Sequence, residues 1–129
     1  MLLIETYVGM SKIEGLGLFA AKDIPAGTKI WDFHSGYDQV LDENQLASMP
    51  EWQSAFFRKY CFSNDGKYYY CIDDARFMNH SDSPNAMDKE DGTYAAKHIK
   101  AGHEITCNYA GMGKHDKDHR FNMAWYVSK

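Results

Sequence analysis

The stretch Arg76-Phe77-Met78-Asn79-His80-Ser81-Asp82-Ser83-Pro84-Asn85 constrains this chain more than any other, because it is too polar and too punctuated for ordinary core. Asn79, His80, Ser81 and Asp82 can bond their own backbone and favour tight turns over regular structure. Pro84 bars Ser83 from the helical region. Just upstream, Arg76-Phe77-Met78 supplies a short apolar turn that would press this polar knot into the interior. A buried knot demands that every donor and acceptor be matched. On these residues alone, a structured loop with satisfied Asn and His side chains and a loop that binds something remain equally open.

The rest of the chain sets bounds. A length of 129 residues suggests one domain, with a real core and no room for a second. Glu5 interrupts the apolar start Met1-Leu2-Leu3-Ile4, and no apolar run reaches the length of a membrane span, so a complete, soluble, intracellular protein is expected. Cys61, Cys71 and Cys107 are odd in number and widely spaced. Neither a disulfide framework nor a zinc site follows, and buried thiols are expected. A net charge of −4 argues against binding nucleic acid through bulk electrostatics and for attracting basic peptides. Nine Tyr, seven Phe and three Trp exceed what so small a core takes, so some should line a groove or an interface.

Leu2 to Val8 reads as a strand, ended by Gly9-Met10-Ser11-Lys12; Leu18 to Ala21 and Thr28 to Phe33 read as extended segments around the turn Pro25-Ala26-Gly27. Residues 19–30 are echoed by residues 94–105, so one strand-turn-strand device is used twice. Asp42 to Ser48 is a capped helical turn or two, and Pro50 opens a second helix on which Trp52, Phe56 and Phe57 would face one way. Asn64-Asp65-Gly66 turns a hairpin into the aromatic strand Lys67 to Ile72. Strands Asn85 to Asp88 and Thr93 to Lys97 flank a turn, and Gly102 to Tyr109 is the last strand. Gly111 to Arg120 is a charged, solvated lead-in to the apolar Phe121 to Tyr126. Many short strands and one or two short helices indicate a mostly β domain of several small sheets.

Asn79-His80-Ser81-x-x-Pro84-Asn85 after Arg76-Phe77 resembles the signature of the SET-domain lysine methyltransferases. The resemblance continues at Glu104-Ile105-Thr106-Cys107-Asn108-Tyr109, similar to that family's Glu-Leu-x-x-x-Tyr strand, and at Gly15-Leu16-Gly17, similar to its first glycine motif. It implies a SET fold, small sheets around a knot formed by the signature loop and the C-terminal segment, over residues 1–110, with residues 111–129 a tail packing on the active site or a partner subunit. It further implies methyl transfer from S-adenosylmethionine to a lysine of a histone or other basic protein. Tyr109 would be catalytic. Gly15, Leu16, Gly17, Asn79, His80, Tyr109, Phe121 and Trp125 would contact the cofactor, and Tyr37, Tyr69 and Cys107 would line the substrate channel.

Three departures limit that carry-over. Asp82 stands where the family often has cysteine, and the flanking zinc segments of many members are absent. Cys107 occupies the position that is often Phe or Tyr and that influences how many methyl groups are added. The second motif's Tyr-x-Gly is shifted to Phe33-His34-Ser35-Gly36-Tyr37. A catalytically silent SET-fold module that binds peptide or partner protein is the alternative. A metal site at His115 and His119 lacks a third ligand, so no metal is expected; Ser81 beside His80 is adjacency in sequence, not a hydrolase triad. The apolar tail gives reason for a homodimer. No membrane or direct nucleic-acid partner is expected, and the location would be cytoplasmic in a bacterium or nuclear in a eukaryotic or viral setting.

Overall fold

The computed structural model describes residues 1–64 and 66–109. Its strands are β1 (Thr6–Met10), β2 (Leu16–Ala20), β3 (Lys29–Trp31), β4 (Gln39–Asp42), β5 (Phe62–Asn64), β6 (Lys67–Tyr70), β7 (Asn79–His80), β8 (Ala86–Lys89), β9 (Gly92–Ala95) and β10 (Thr106–Cys107). They form four small sheets, ordered β1-β2, β10-β7, β3-β9-β8 and β4-β6-β5. Two short helices, α1 (Glu43–Ala47) and α2 (Glu51–Tyr60), follow β4.

The echo between residues 19–30 and 94–105 is a symmetry of the fold. Ile24 and Ile99 exchange backbone hydrogen bonds of 2.7 and 2.9 Å, and around them every contact has its counterpart. The Ala20 amide donates to the His103 carbonyl and the Ala95 amide to the Thr28 carbonyl; Gly102 donates to Ala20 and Gly27 to Ala95. Gly27 and Gly102 share a φ of +85°, a left-handed turn that Cβ-bearing residues resist. Ala20, Ile24, Ile30, Ala95, Ile99 and Ile105 from the two copies are buried together with Leu18 and Trp31 in the larger core cluster. Each buried Ile there contributes on the order of 1.5–3 kcal/mol.

A second, smaller cluster of Leu41, Leu46, Cys61 and Tyr68 lies under α1 and α2, with Met49, Phe57 and Tyr70 against it. Asp42 caps α1 in a reciprocal box with Gln45, as its composition predicts. Helix α2 departs from expectation: Phe57 packs inward, but Trp52 is 73% exposed and Phe56 42% exposed. The helix instead buries Ser54, one turn before Phe57, so the inward stripe runs one residue off the aromatic one. Phe56 still finds ring neighbours in Phe57, Tyr60 and Tyr70 at its flank.

Two expected strands prove to be composite. Leu2 bridges to Trp31, whereas Thr6–Met10 pairs with β2, so the break at Glu5 separates two partners. The stretch after Gly102 likewise changes partner. Glu104 bridges antiparallel to Phe19, then Thr106 and Cys107 run parallel to Asn79 and His80. That change carries residues 106 and 107 along the signature loop and makes the knot.

Candidate active site

Glu104 is the hub of the crossing. The Ser11 hydroxyl donates to its carboxylate, 2.8 Å from Oε1 and 2.9 Å from Oε2. Asn79 Nδ2 approaches Glu104 Oε2 at 2.9 Å, the Leu16 carbonyl at 3.0 Å and the Glu14 carbonyl at 3.1 Å. One amide thus ties the glycine turn to the last strand. Gly17 is required for this reason: a Cβ there would stand 2.4 Å from Glu104 Oε2. Gly15, at φ +45°, has no atom within 4 Å of a Cβ position, and its backbone is open on that side. Asn85 completes the crossing, its Nδ2 donating to the Glu104 carbonyl and its Oδ1 accepting from the Thr106 amide, both at 2.8 Å.

His80 is buried beside Tyr109, their ring centres 5.3 Å apart. Its Nδ1 accepts the Tyr109 amide at 3.0 Å, which leaves the ring proton on Nε2 to be donated to Asp82 Oδ1 at 2.9 Å. The tautomer is therefore set by the backbone of the residue it positions. The Tyr109 hydroxyl donates to the Met78 carbonyl at 2.8 Å, which pins the phenol against the residue preceding Asn79.

The Tyr109 ring lines a cavity of about 80 Å³, whose walls include Trp31, Tyr60, Phe62, Met78 and Cys107. Cys61 and Cys71 line it too, and all three thiols are buried and outside any disulfide. Burial pushes Cys61 up to about 12, and Cys71 and Cys107 are raised well above the ordinary thiol range by the same cause, so none is a nucleophile at neutral pH. Of the other residues expected in a channel, Tyr69 stacks on the wall residue Phe62 at 5.0 Å, one layer from the cavity. Tyr37, half exposed, tilts over His34 at 4.8 Å, and it is not among the lining residues. Phe121, Trp125, the tail 111–129 and His115 and His119 lie outside the described residues, among which no group of three or more His, Cys, Asp or Glu could hold a metal. Asp65 of the expected hairpin turn also lies outside them.

Sequence reasoning missed three contributors. The Met78 carbonyl has no side-chain signal. Asn85 was visible as the last residue of the signature and the first of a strand, but with no role of its own. Asp88 lines the cavity from β8, two residues from the fully buried Ala86 and thus on the same face of its strand. An acid two residues after the apolar Ala86, on the same face of its strand, is the signal that could have found it.

A SET domain family model matches residues 15–110. Human histone-lysine N-methyltransferase 2D is 30% identical over 125 residues, covering 81% of this chain and 2% of that protein. Histone-lysine N-methyltransferase trr of Drosophila melanogaster is 27% identical over 140 residues, covering 93% of this chain and 5% of that protein. This chain therefore spans only a small fraction of the relatives' lengths. Among solved structures, a chain of the apo Chaetomium thermophilum Polycomb Repressive Complex 2 has a TM-score of 0.70 at 22% identity, covering 92% of this chain and 16% of that one. A Plasmodium falciparum chain has a TM-score of 0.62 at 20% identity, covering 84% of this chain and 95% of that one. With the knot, the small sheets and three-quarters of its length matched, this chain belongs to the SET-domain family.

Proposed function

We propose that this chain is a protein-lysine N-methyltransferase that moves a methyl group from S-adenosylmethionine to a lysine of a basic protein such as a histone. The observation that carries this reading is Tyr109, whose hydroxyl is pinned to the Met78 carbonyl and whose ring walls a cavity otherwise largely apolar. The relatives' histone-lysine methyltransferase names support it at the level of the family. The glycine turn fits an adenosyl cofactor because its backbone is open at Gly15 and is held by Asn79 against the strand bearing His80. Gly15, Leu16, Gly17, Asn79 and His80 would hold the cofactor, with Tyr109 beside it and Phe121 or Trp125 covering it. When bound, S-adenosylmethionine supplies an electrophilic methyl group.

The chain's own residues then have two tasks. The first is alignment, which is worth about 7–11 kcal/mol when donor and acceptor are held in line. Tyr109 orients the lysine nitrogen as a hydrogen-bonding group. The second task is to present a neutral amine. A lysine of pKa near 10.4 costs roughly 4.6 kcal/mol to deprotonate at pH 7, and the apolar walls at Phe62, Met78 and Cys107 reduce that cost by disfavouring the ammonium. Tyr69 backs this channel through Phe62, and Tyr37 belongs to its outer surface. The proton leaves to water.

The test is calorimetric titration with S-adenosylmethionine, beside a transfer assay on a mixed lysine-rich peptide pool. Asn79→Ala should weaken cofactor binding at least about tenfold, because it frees the glycine turn. Tyr109→Phe should keep cofactor binding and lose about 10²–10³-fold in transfer, as expected on removing one aimed hydrogen-bonding group. Absence of cofactor binding overturns the reading, and binding without transfer to any peptide favours the silent module. In a eukaryotic cell we place the protein in the nucleus with its substrate. We also propose a homodimer built through the apolar tail, which a monomeric sedimentation profile at high concentration would rule out.

A further inference from the structure

Asp88 is the only carboxylate among the described residues that line the Tyr109 cavity. Its placement is a matter of register. Asp88 stands directly opposite Thr93 on β9, and Thr93 opposite Trp31 on β3, so the three form a row across one sheet, and all three line the cavity. The Thr93 hydroxyl, itself buried, donates to Asp88 Oδ1 at 2.5 Å and fixes the carboxylate's direction.

The carboxylate has no cationic partner among the described residues. Lys59 and Arg76 line the same cavity but are turned elsewhere: the Lys59 ammonium lies 5.0 Å from the Tyr60 ring centre, and the Arg76 guanidinium lies 4.7 Å from that of Phe77 and bonds the Ile72 and Asp73 carbonyls. Packing around the carboxyl group pushes Asp88 up from the usual carboxylate range, and the Thr93 bond opposes this. The residue as a whole is still open to the cavity and solvent. An oriented, accessible carboxylate without a cationic partner among the described residues, in an otherwise largely apolar cavity, is complementary to a cation that carries N–H donors.

Resting on the reading of this cavity as the lysine channel, we propose that Asp88, on the solvent-open side of the cavity, receives the ε-ammonium of the entering lysine before its proton leaves to water. A lysine ammonium brings three donors, and each methyl group added removes one. Asp88 therefore favours unmethylated and monomethylated lysine over more highly methylated forms, and it sets specificity at this channel.

The test reads binding, not transfer. Amide signals of Thr93 and Cys107 are followed by NMR while the full chain is titrated with n-butylammonium, n-butyltrimethylammonium and neutral n-butanol. The wild-type protein should prefer n-butylammonium to both others. Asp88→Asn, nearly isosteric and on an edge strand, should weaken n-butylammonium about tenfold, leave n-butanol unchanged and erase the preference. Thr93→Val should shift the preference the same way by a smaller factor. A wild-type protein without the preference, or a preference that survives Asp88→Asn, overturns the proposal. Absence of methyl transfer would count against the enzyme alone, because these ligands report on the cavity whether or not the chain is active.

Discussion

The paired strand-turn-strand units and the crossing at Glu104 are held together by opposite means. The two units meet through Ile24 and Ile99 and are closed by apolar side chains and backbone bonds, each made twice. The crossing is closed by polar side chains, with Asn79, Asn85 and Glu104 standing in for backbone partners, each used once. Duplication gives the units redundancy. The crossing has none, and it brings Met78, Cys107 and Tyr109 to the cavity.

The largest effect should come from alkali, because buried thiols belong to both regions: Cys71 to the main core and Cys107 to the crossing, with Cys61 in the smaller cluster. Their folded-state values are raised above that of an unfolded thiol, near 8.5. The stabilisation is thus complete below about pH 8.5 and is lost as pH rises through the folded values, at about 4 kcal/mol per pH unit if all three contribute. Urea melts between pH 8 and 11 measure this slope. Cys107→Ala should remove about a third of it, and an unchanged slope would mean that the crossing opens locally before the core does.

Next in size, Ile24→Ala and Ile99→Ala should each cost about 2–5 kcal/mol, from cavity formation as well as lost burial. Because the two residues touch across the dyad, the double variant should cost less than their sum. Strict additivity in denaturant melts would show that the halves are independent. Smallest, Gly27→Ala and Gly102→Ala should each destabilise by about 1 kcal/mol, since both force a Cβ into the left-handed region. Equal costs would confirm that the symmetry is energetic as well as geometric. A larger cost at Gly102 would show that the turn leading into the crossing is the more constrained.

The same division explains what was legible beforehand. Residues 19–30 and 94–105 announce themselves because their order of apolar, turn and apolar residues is local. The Asp42 cap and the polarity of residues 79–85 are local too. What escaped depends on distant partners. Leu2 to Val8 looks like one strand, but Leu2 answers to Trp31 and Thr6 to Ala20. Gly102 to Tyr109 looks like another, yet it changes sheet halfway. Nothing in Trp52 or Phe56 says that the buried stripe of α2 runs through Ser54 and Phe57 instead. The family resemblance pointed to Tyr109 and Asn79, but not to the row of Asp88, Thr93 and Trp31, which exists only once three separate strands are in register.

The partner change at Glu104 also has a meaning in time. His80 is synthesised 29 residues before the Tyr109 amide that fixes its ring proton, and Asn79 is made 25 residues before Glu104. On the ribosome, then, the signature loop waits for Glu104 and Tyr109 until nearly the whole described chain has emerged. A chain stalled before residue 104 has the signature residues without the crossing, so the cavity wall at Cys107 and Tyr109 is completed in one late event.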